Sequence, residues 1–147
     1  MYQIGDWVNI TPEESVDECP ILKQIVSVVG TEPQYWIGED IYDIYGEEHI
    51  APILLTDEIL ELNGWRREED EDEELTKFIY TDILCPRETM LLGKWREHGD
   101  YDFRDFRIHY VHELQQAMRL WFTCNTEDLS AKEYKAIISK INNLKFK

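Results

Sequence analysis

The sequence predicts an α+β fold in which a small antiparallel β-barrel precedes a three-stranded antiparallel meander that is packed by C-terminal helices. Three observations predict it. Short segments rich in β-branched and aromatic residues, separated by turn residues, fill positions 1–55. Longer strand-like segments begin at position 75, and from Tyr110 onward the apolar residues recur at helical spacing.

The composition indicates one compact domain or two small subdomains. Of the 147 residues, 43% are hydrophobic and 12% aromatic, which is enough apolar material for a core and excludes disorder throughout. We expect four parts: a small acidic β-barrel over residues 1–55, a connecting helix over 56–65, an acidic loop or linker over 66–74, and an antiparallel sheet with two helices over 75–147.

The barrel is predicted from four or five short strands. Ile4, Val8 and Ile10 alternate with polar residues, as in a half-buried strand. After a loop over 11–20, we expect strands at 21–29, 35–38, 41–45 and 49–55. Strands this short leave exposed edges unless the sheet closes, so the pattern favours a barrel of the SH3-like kind.

The connecting helix is predicted over 57–63. Thr56 suits its N-cap, and Gly64 suits the position after its C-cap. Strands at 75–83, 88–96 and 102–108 would then form the meander.

Two helices end the chain. The first has one apolar stripe, which consists of Val111, Leu114, Met118 and Trp121. Ser130 and Glu133 form a capping-box pattern at the start of the second helix. The apolar face of that helix comprises Tyr134, Ile137, Ile138 and Ile141.

Charge is divided unequally along the chain. Residues 1–65 hold 14 acidic residues and one base, Lys23, whereas residues 75–147 hold 12 bases and 10 acids. Between them, residues 68–74 are seven consecutive acids, which repel one another and favour an exposed loop. The net charge of −16 opposes attraction to nucleic acids and to anionic membranes.

Chemistry-bearing motifs are weak. The three cysteines are far apart and include no CxxC pair, which argues against a disulfide framework and a zinc site. His109, His112 and Glu113 do not have the spacing of a zinc helix, and capping or packing explains them better. We therefore expect no catalytic residues, no metal and no cofactor. The first ten residues lack the pattern of an export signal, so we expect a cytoplasmic protein.

Three segments carry a resemblance to known sequences. They are APILLTDEIL over 51–60, NGW over 63–65 and IHYVHELQ over 108–115. Together they resemble short uncharacterised proteins of phages and mobile elements of gut anaerobes, whose pattern is PIPLT-E-IL, then GF, and later YVHELQ. The resemblance spans residues 41–122 and implies a phage or prophage context with no established activity. The acidic block and the helix within 128–147 depart from the group. Within the last segment, the candidate structural motif is Tyr110, His112, Leu114 and Gln115.

Aromatic residues crowd the acidic half and form the candidate partner-binding set: Trp7, Tyr35, Trp36, Tyr42 and Tyr45. They either fill a small core or grip a partner, because large aromatics concentrate at interfaces. The leading hypothesis is a non-enzymatic interaction module that docks a protein partner. The alternative is an acidic nucleic-acid mimic that inhibits a host nucleic-acid-binding or defence protein, since clustered carboxylates imitate phosphate charge.

Overall fold

The computed structural model describes residues 1–10, 21–29, 34–37, 44–69, 74–95, 99–125 and 129–147. They form an α+β protein of antiparallel sheets with two helices at the C-terminal end. The chain divides into two compact units. Unit 1 comprises Met1–Leu54 and Tyr110–His112, and unit 2 comprises Leu55–His109 and Glu113–Lys147. The predicted loop over 11–20 lies outside the described residues.

Unit 1 contains two three-stranded sheets. The first has the order β2-β1-β6 and the second the order β3-β4-β5. The strands β1 to β6 are Trp7–Ile10, Ile21–Gln24, Ser27–Val29, Gln34–Trp36, Ile44–Gly46 and Ile50–Pro52. Among these described strands the two sheets do not close into a barrel, so the SH3-like prediction is not confirmed.

The segment predicted as one strand over 21–29 is divided between the two sheets. The break between the two strands falls at Ile25 and Val26. Ile25 is buried, and its backbone forms hydrogen bonds with Gly5 and Asp6 in the turn before β1. The alternation in β1 is confirmed, because Val8 and Ile10 are buried.

The start of the predicted first strand is wrong. Ile4 is exposed, and Gly5 at φ 92° begins a turn that precedes β1. Asp6 is fully buried, on the same side of the chain as Val8 and Ile10. Its carboxylate accepts a 2.7 Å hydrogen bond from the backbone N–H of Gln3, so this buried polar group has a partner within the turn.

Unit 2 is a five-stranded antiparallel sheet with helices against one face. Its strand order is β11-β10-β9-β8-β7, so each strand pairs with its neighbour in sequence. The strands β7 to β11 are Arg66–Glu69, Leu75–Asp82, Cys85–Trp95, Tyr101–Phe103 and Phe106–Ile108. The helices are α1 Asp57–Leu62, α2 Val111–Cys124 and α3 Ala131–Asn142.

The observed sheet has five strands where the sequence predicted three, for two reasons. Arg66–Glu69 form the edge strand β7, where the sequence predicted a loop; residues 70–73 of the acidic block lie outside the described residues. The predicted strand over 102–108 folds back as the β10–β11 hairpin, in which Phe103 pairs with Phe106. Arg104 at φ 54° makes this two-residue reversal possible, and the sequence carries no Gly or Asn there to signal it.

The predicted helix signals are confirmed. The Thr56 side chain accepts from the Ile59 N–H at the start of α1, and Gly64 has φ 90° just beyond its end. Ser130 and Glu133 form the capping box of α3.

The helices α2 and α3 pack in the core of unit 2. In the α2 stripe Leu114 and Met118 are buried, whereas Trp121 is only partly buried. Phe122, which the stripe omitted, is fully buried and lies edge-on to Tyr80 of β8 at 5.9 Å between ring centroids.

Candidate functional site

The two faces of the five-stranded sheet differ sharply in what covers them. On one face Phe78, Met90 and Leu92 have no exposed surface, and Tyr80 and Phe103 contact α2 through Phe122 and Trp121. Because side chains alternate along a strand, the residues between them point to the opposite face. We call that second face the open face.

Four apolar side chains form a cross-strand ladder on the open face. Leu75 pairs with Trp95, and Ile79 pairs with Leu91, in the register of β8 and β9. Trp95 and Leu91 are each 46% exposed, and Leu75 and Ile79 are partly buried. The Lys77–Gly93 pair separates the two apolar pairs, so this face carries two neighbouring, half-exposed apolar pairs, unlike single apolar residues scattered on a protein.

Gly93 lies between the two pairs and shapes the ladder. A Cβ atom at this position would lie 3.2 Å from Cδ1 of Leu75, closer than an ordinary van der Waals contact. The leucine side chain therefore extends over the glycine, which brings Leu75 towards the centre of the face and leaves the ring of Trp95 open beside it.

Charged residues of both signs lie within and beside the ladder. Lys77 lies between the two apolar pairs, where it pairs with Gly93 in β9 and with Glu68 in β7, and Asp102 pairs with Gly93 from the other side. Arg66, opposite Ile79, donates to Glu68 at 2.9 Å. Apolar and charged side chains thus share this face, as they do in protein–protein interfaces.

A polar cluster on the covered face fixes α1 to the sheet. The Asp57 carboxylate accepts from the Tyr101 hydroxyl and from Lys94 Nζ at 2.9 Å, and it pairs with Arg67 at 3.1 Å. Burial alone would raise the pKa of the Asp57 carboxyl, but these hydrogen bonds and the two cations outweigh it and hold the pKa below its ordinary value. Burial raises the pKa of Tyr101, and the hydrogen bond to the Asp57 carboxylate and its negative charge raise it further. Every member has a partner, which indicates a structural clamp.

A second cluster connects α3 to the β8–β9 hairpin. Asp82 is 2% exposed and accepts from Leu84 N at 2.9 Å, from the Tyr80 hydroxyl at 2.9 Å and from Lys140 Nζ at 3.2 Å. Burial raises the pKa of Tyr80, and the neighbouring carboxylate raises it further. The tyrosine therefore stays a neutral donor to Asp82.

The predicted aromatic site in the front half is only partly described. Tyr35 has no exposed surface and belongs to the core of unit 1. Tyr45 is partly buried against the same core, and Trp7 is partly buried in β1. Tyr42 and the side chain of Trp36 lie outside the described part of the chain.

The segment over 110–115 contributes to both units. Tyr110 stacks on His112 at 5.9 Å between ring centroids, and Tyr2 lies edge-on to His112 at 4.7 Å and to Tyr35 at 5.5 Å, all within unit 1. In unit 2, Leu114 and Gln115 are buried.

Gln115 connects the two long helices. Its amide donates to the carbonyl of Ile141 near the end of α3 at 3.1 Å.

The open face is the feature that sequence reasoning missed. The signal was the pairing of adjacent apolar residues, Phe78 with Ile79 and Leu91 with Leu92, because two apolar neighbours on a strand must occupy opposite faces. Which member of such a pair is left uncovered depends on where the helices pack, and the local pattern does not show it.

The described residues contain no group of three metal-ligating side chains. Cys124 is an exposed free thiol, Cys85 is partly buried, and Cys19 lies outside the described residues. No helix within the described ranges has the length and apolar character needed to cross a membrane.

The fold and the open face together define the class of protein only broadly. It is an α+β protein with one sheet face that the helices leave uncovered. Comparison of the chain with family models, with curated proteins and with solved structures finds no match in any of the three.

Proposed function

We propose that this chain is a non-enzymatic interaction module of phage or mobile-element origin that docks a protein partner through the open face. The observation that carries the proposal is Trp95, which is 46% exposed in an apolar ladder that no helix of unit 2 covers. The host cytoplasm or the virion is its proposed location.

Trp95 is suited to anchor a partner. Tryptophan is enriched among the few interface residues that carry most of the binding energy. Its backbone is fixed in β9 by pairing with Leu75, so little conformational freedom remains to be lost on binding. A partner that covers Trp95 and Leu91 would remove the apolar surface that the fold leaves exposed.

The chemistry of the partner follows from charge. The chain carries 31 acidic residues against 15 lysines and arginines, so a partner with a net basic surface is attracted before contact. At the ladder both signs are present, with Lys77 between the two apolar pairs and Arg66, Glu68 and Asp102 on the flanking strands. We infer a basic partner that presents an apolar patch with mixed charges around it.

The nucleic-acid mimic remains a second proposal, and one observation weighs against it. A mimic needs unpaired carboxylates, but Glu68 accepts from Arg66 at 2.9 Å and Glu69 lies 3.5 Å from Arg67. Two of the seven consecutive acids are thus partly neutralised by arginines on the same strand. The SH3-like barrel and its aromatics, Trp7 and Tyr45 among them, remain a proposed second contact region.

The test begins by capturing partners from expressing cells on the immobilised protein. Each purified partner is then titrated by calorimetry against Trp95→Ala. The matched control is Phe106→Ala, since Phe106 is 64% exposed on the edge strand β11 of the same unit but pairs with the covered-face residue Phe103. We expect Trp95→Ala to weaken binding by about 2 kcal/mol or more, roughly thirty-fold, and Phe106→Ala to leave it nearly unchanged.

The mimic is tested in the same titrations with Glu68→Gln and Glu69→Gln combined. If this double variant loses binding and Trp95→Ala retains it, the docking proposal is wrong and the mimic is favoured. Loss in Phe106→Ala with retention in Trp95→Ala would place the contact away from the open face.

A further inference from the structure

A groove in unit 2 lies apart from the open face and has a different character. It has a volume of about 460 Å³ and opens between the end of α1 and the C-terminal end of α3. Apolar side chains form its walls, among them Trp65, Tyr80, Met118 and Leu144. Volumes of this size are typical of small-molecule sites.

The charge of the groove is opposite to that of the protein. Lys140 and Lys145 line it, and none of its lining residues is acidic, although acids outnumber bases two to one in the chain. Asp82 lies behind Lys140 with its carboxylate 2% exposed, while the Lys140 side chain is 49% exposed. The carboxylate therefore positions the ammonium group without presenting its own charge to solvent.

An unsatisfied donor lies in the wall. Trp65 is 3% exposed, and its indole Nε1 is buried with no hydrogen-bond partner among the described residues. Most buried polar groups in folded proteins have a partner. An indole N–H can only donate, but this nitrogen has almost no exposed surface, so its resonance reports on occupancy of the groove and it is not itself a contact for the ligand.

The rim of the groove is held in place by the backbone of the C-terminal segment. Asn63 donates from Nδ2 to the Lys145 carbonyl at 2.8 Å and accepts from Lys145 N at 2.7 Å. The same amide donates to the Ile59 carbonyl at 2.7 Å. These two hydrogen bonds to Lys145 fix its backbone against the end of α1. A site that is fixed before binding loses less entropy when a ligand enters.

We propose that this groove binds an apolar monocarboxylate, meaning an acyl or aryl acid with a single anionic head. The carboxylate pairs with the ammonium group of Lys145 and with that of Lys140, whose charge Asp82 partly offsets from behind. The hydrocarbon part packs against Tyr80, Met118 and Leu144. This proposal is independent of the proposed docking function.

The experiment uses decanoate, decanol and decyltrimethylammonium as probes of one chain length and three charges. Each is titrated below its micelle concentration into the full-length ¹⁵N-labelled protein, and the indole N–H resonances are followed by NMR. The Trp65 resonance is assigned as the one that disappears in Trp65→Phe. We expect decanoate to bind at least ten-fold more tightly than decanol, the cation not to bind, and the Trp65 resonance to shift while that of Trp95 stays in place.

Variants test the role of the rim. Lys145→Gln should weaken decanoate binding about five-fold or more and leave decanol binding unchanged, because only the charged head contacts the lysine. Lys135→Gln is the matched control, since it removes the same charge from the exposed surface of α3 outside the groove. Lys140 is left intact because its removal would strand the buried carboxylate of Asp82.

Several results would overturn the proposal. Equal affinity for decanoate and decanol would mean apolar adsorption without recognition of the head group. A shift of the Trp95 resonance instead of Trp65 would place binding on the open face. An equal loss in Lys135→Gln and Lys145→Gln would reduce the effect to net charge, and no saturable binding of decanoate at roughly millimolar concentration would exclude the site.

Discussion

Neighbouring leucines in β9 show how differently the two faces of one sheet are used. Leu92 has no exposed surface and lies on the covered face, whereas Leu91 is 46% exposed on the open face. Both have the same side chain and the same strand backbone, so only what packs against them differs. In this sheet, therefore, the number of apolar residues in a strand does not measure how much that strand adds to the free energy of unfolding.

The largest effect is expected from the leucine pair itself. Leu92→Ala should lower the free energy of unfolding by about 2–5 kcal/mol, because it leaves a cavity in a packed core. Leu91→Ala should lower it by less than about 1 kcal/mol, since half of that side chain already contacts water. Equilibrium urea unfolding of the two variants measures the difference, and equal losses would mean that the open face is covered in solution.

A second prediction concerns the polar clamp on the covered face. Asp57→Asn should cost about 1–3 kcal/mol, because it removes the charge that Lys94 and Arg67 pair with. The pKa of Asp57 is lower in the folded state, so its stabilisation is present above the unfolded pKa near 3.8 and is lost as pH falls through the folded value. The stability gap between the parent and Asp57→Asn should therefore narrow below about pH 4.

Urea unfolding at pH 7 and at about pH 3 checks the sign of that change. A gap that widens on acidification would contradict the assignment of Asp57 as a stabilising carboxylate. Tyr101→Phe serves as a companion variant, since it removes one hydrogen-bond donor to Asp57 and keeps the ring.

A third and smaller effect is expected at the start of α1. Thr56→Ala removes the acceptor for the Ile59 N–H and should cost about 1 kcal/mol, the usual value of an N-cap. Thr56→Ser keeps the hydroxyl and should retain most of that stability. If thermal unfolding shows the serine variant to be as unstable as the alanine variant, the cap contributes through its methyl group and not through its hydrogen bond.

The smallest effect on stability is expected from Trp95→Ala. Its ring is half exposed and lies on the face opposite the helices, so we expect a loss of less than about 1 kcal/mol in urea unfolding. A small loss of stability together with a large loss of partner affinity would show that the open face serves binding and the covered face serves folding. A loss of several kcal/mol would instead make Trp95 a structural residue.

Much of unit 2 was predictable because its signals are local. The cap at Thr56, the turn at Gly64 and the capping box of Ser130 and Glu133 each depend on residues close in sequence. The strand β7 was not predictable, since Arg66–Glu69 have no apolar pattern and form a strand only because β8 offers its backbone as a partner. Likewise, Arg104 carries no turn signal, and the hairpin there depends on the pairing of the flanking strands.

The candidate site was harder to predict than the fold. Trp95 and Leu91 could be assigned to strands, but whether a face is covered depends on where the helices dock, which no local pattern determines. For the same reason the sequence left open whether Tyr35 fills the core of unit 1, where it is buried, because burial of a tyrosine depends on long-range packing. The groove residues Trp65 and Lys140 are separated by 75 positions in the sequence, so only the fold brings them together.

The charged edge strand β7 has a consequence for how copies of the protein behave at high concentration. All four of its residues are exposed and charged, and two arginines followed by two glutamates stand where another chain would have to add its own strand. An edge with this composition resists strand addition, because ordering a foreign backbone along it would desolvate charges already paired within the strand. The charges of β7 thus protect this edge of the sheet from growth by a strand of another copy.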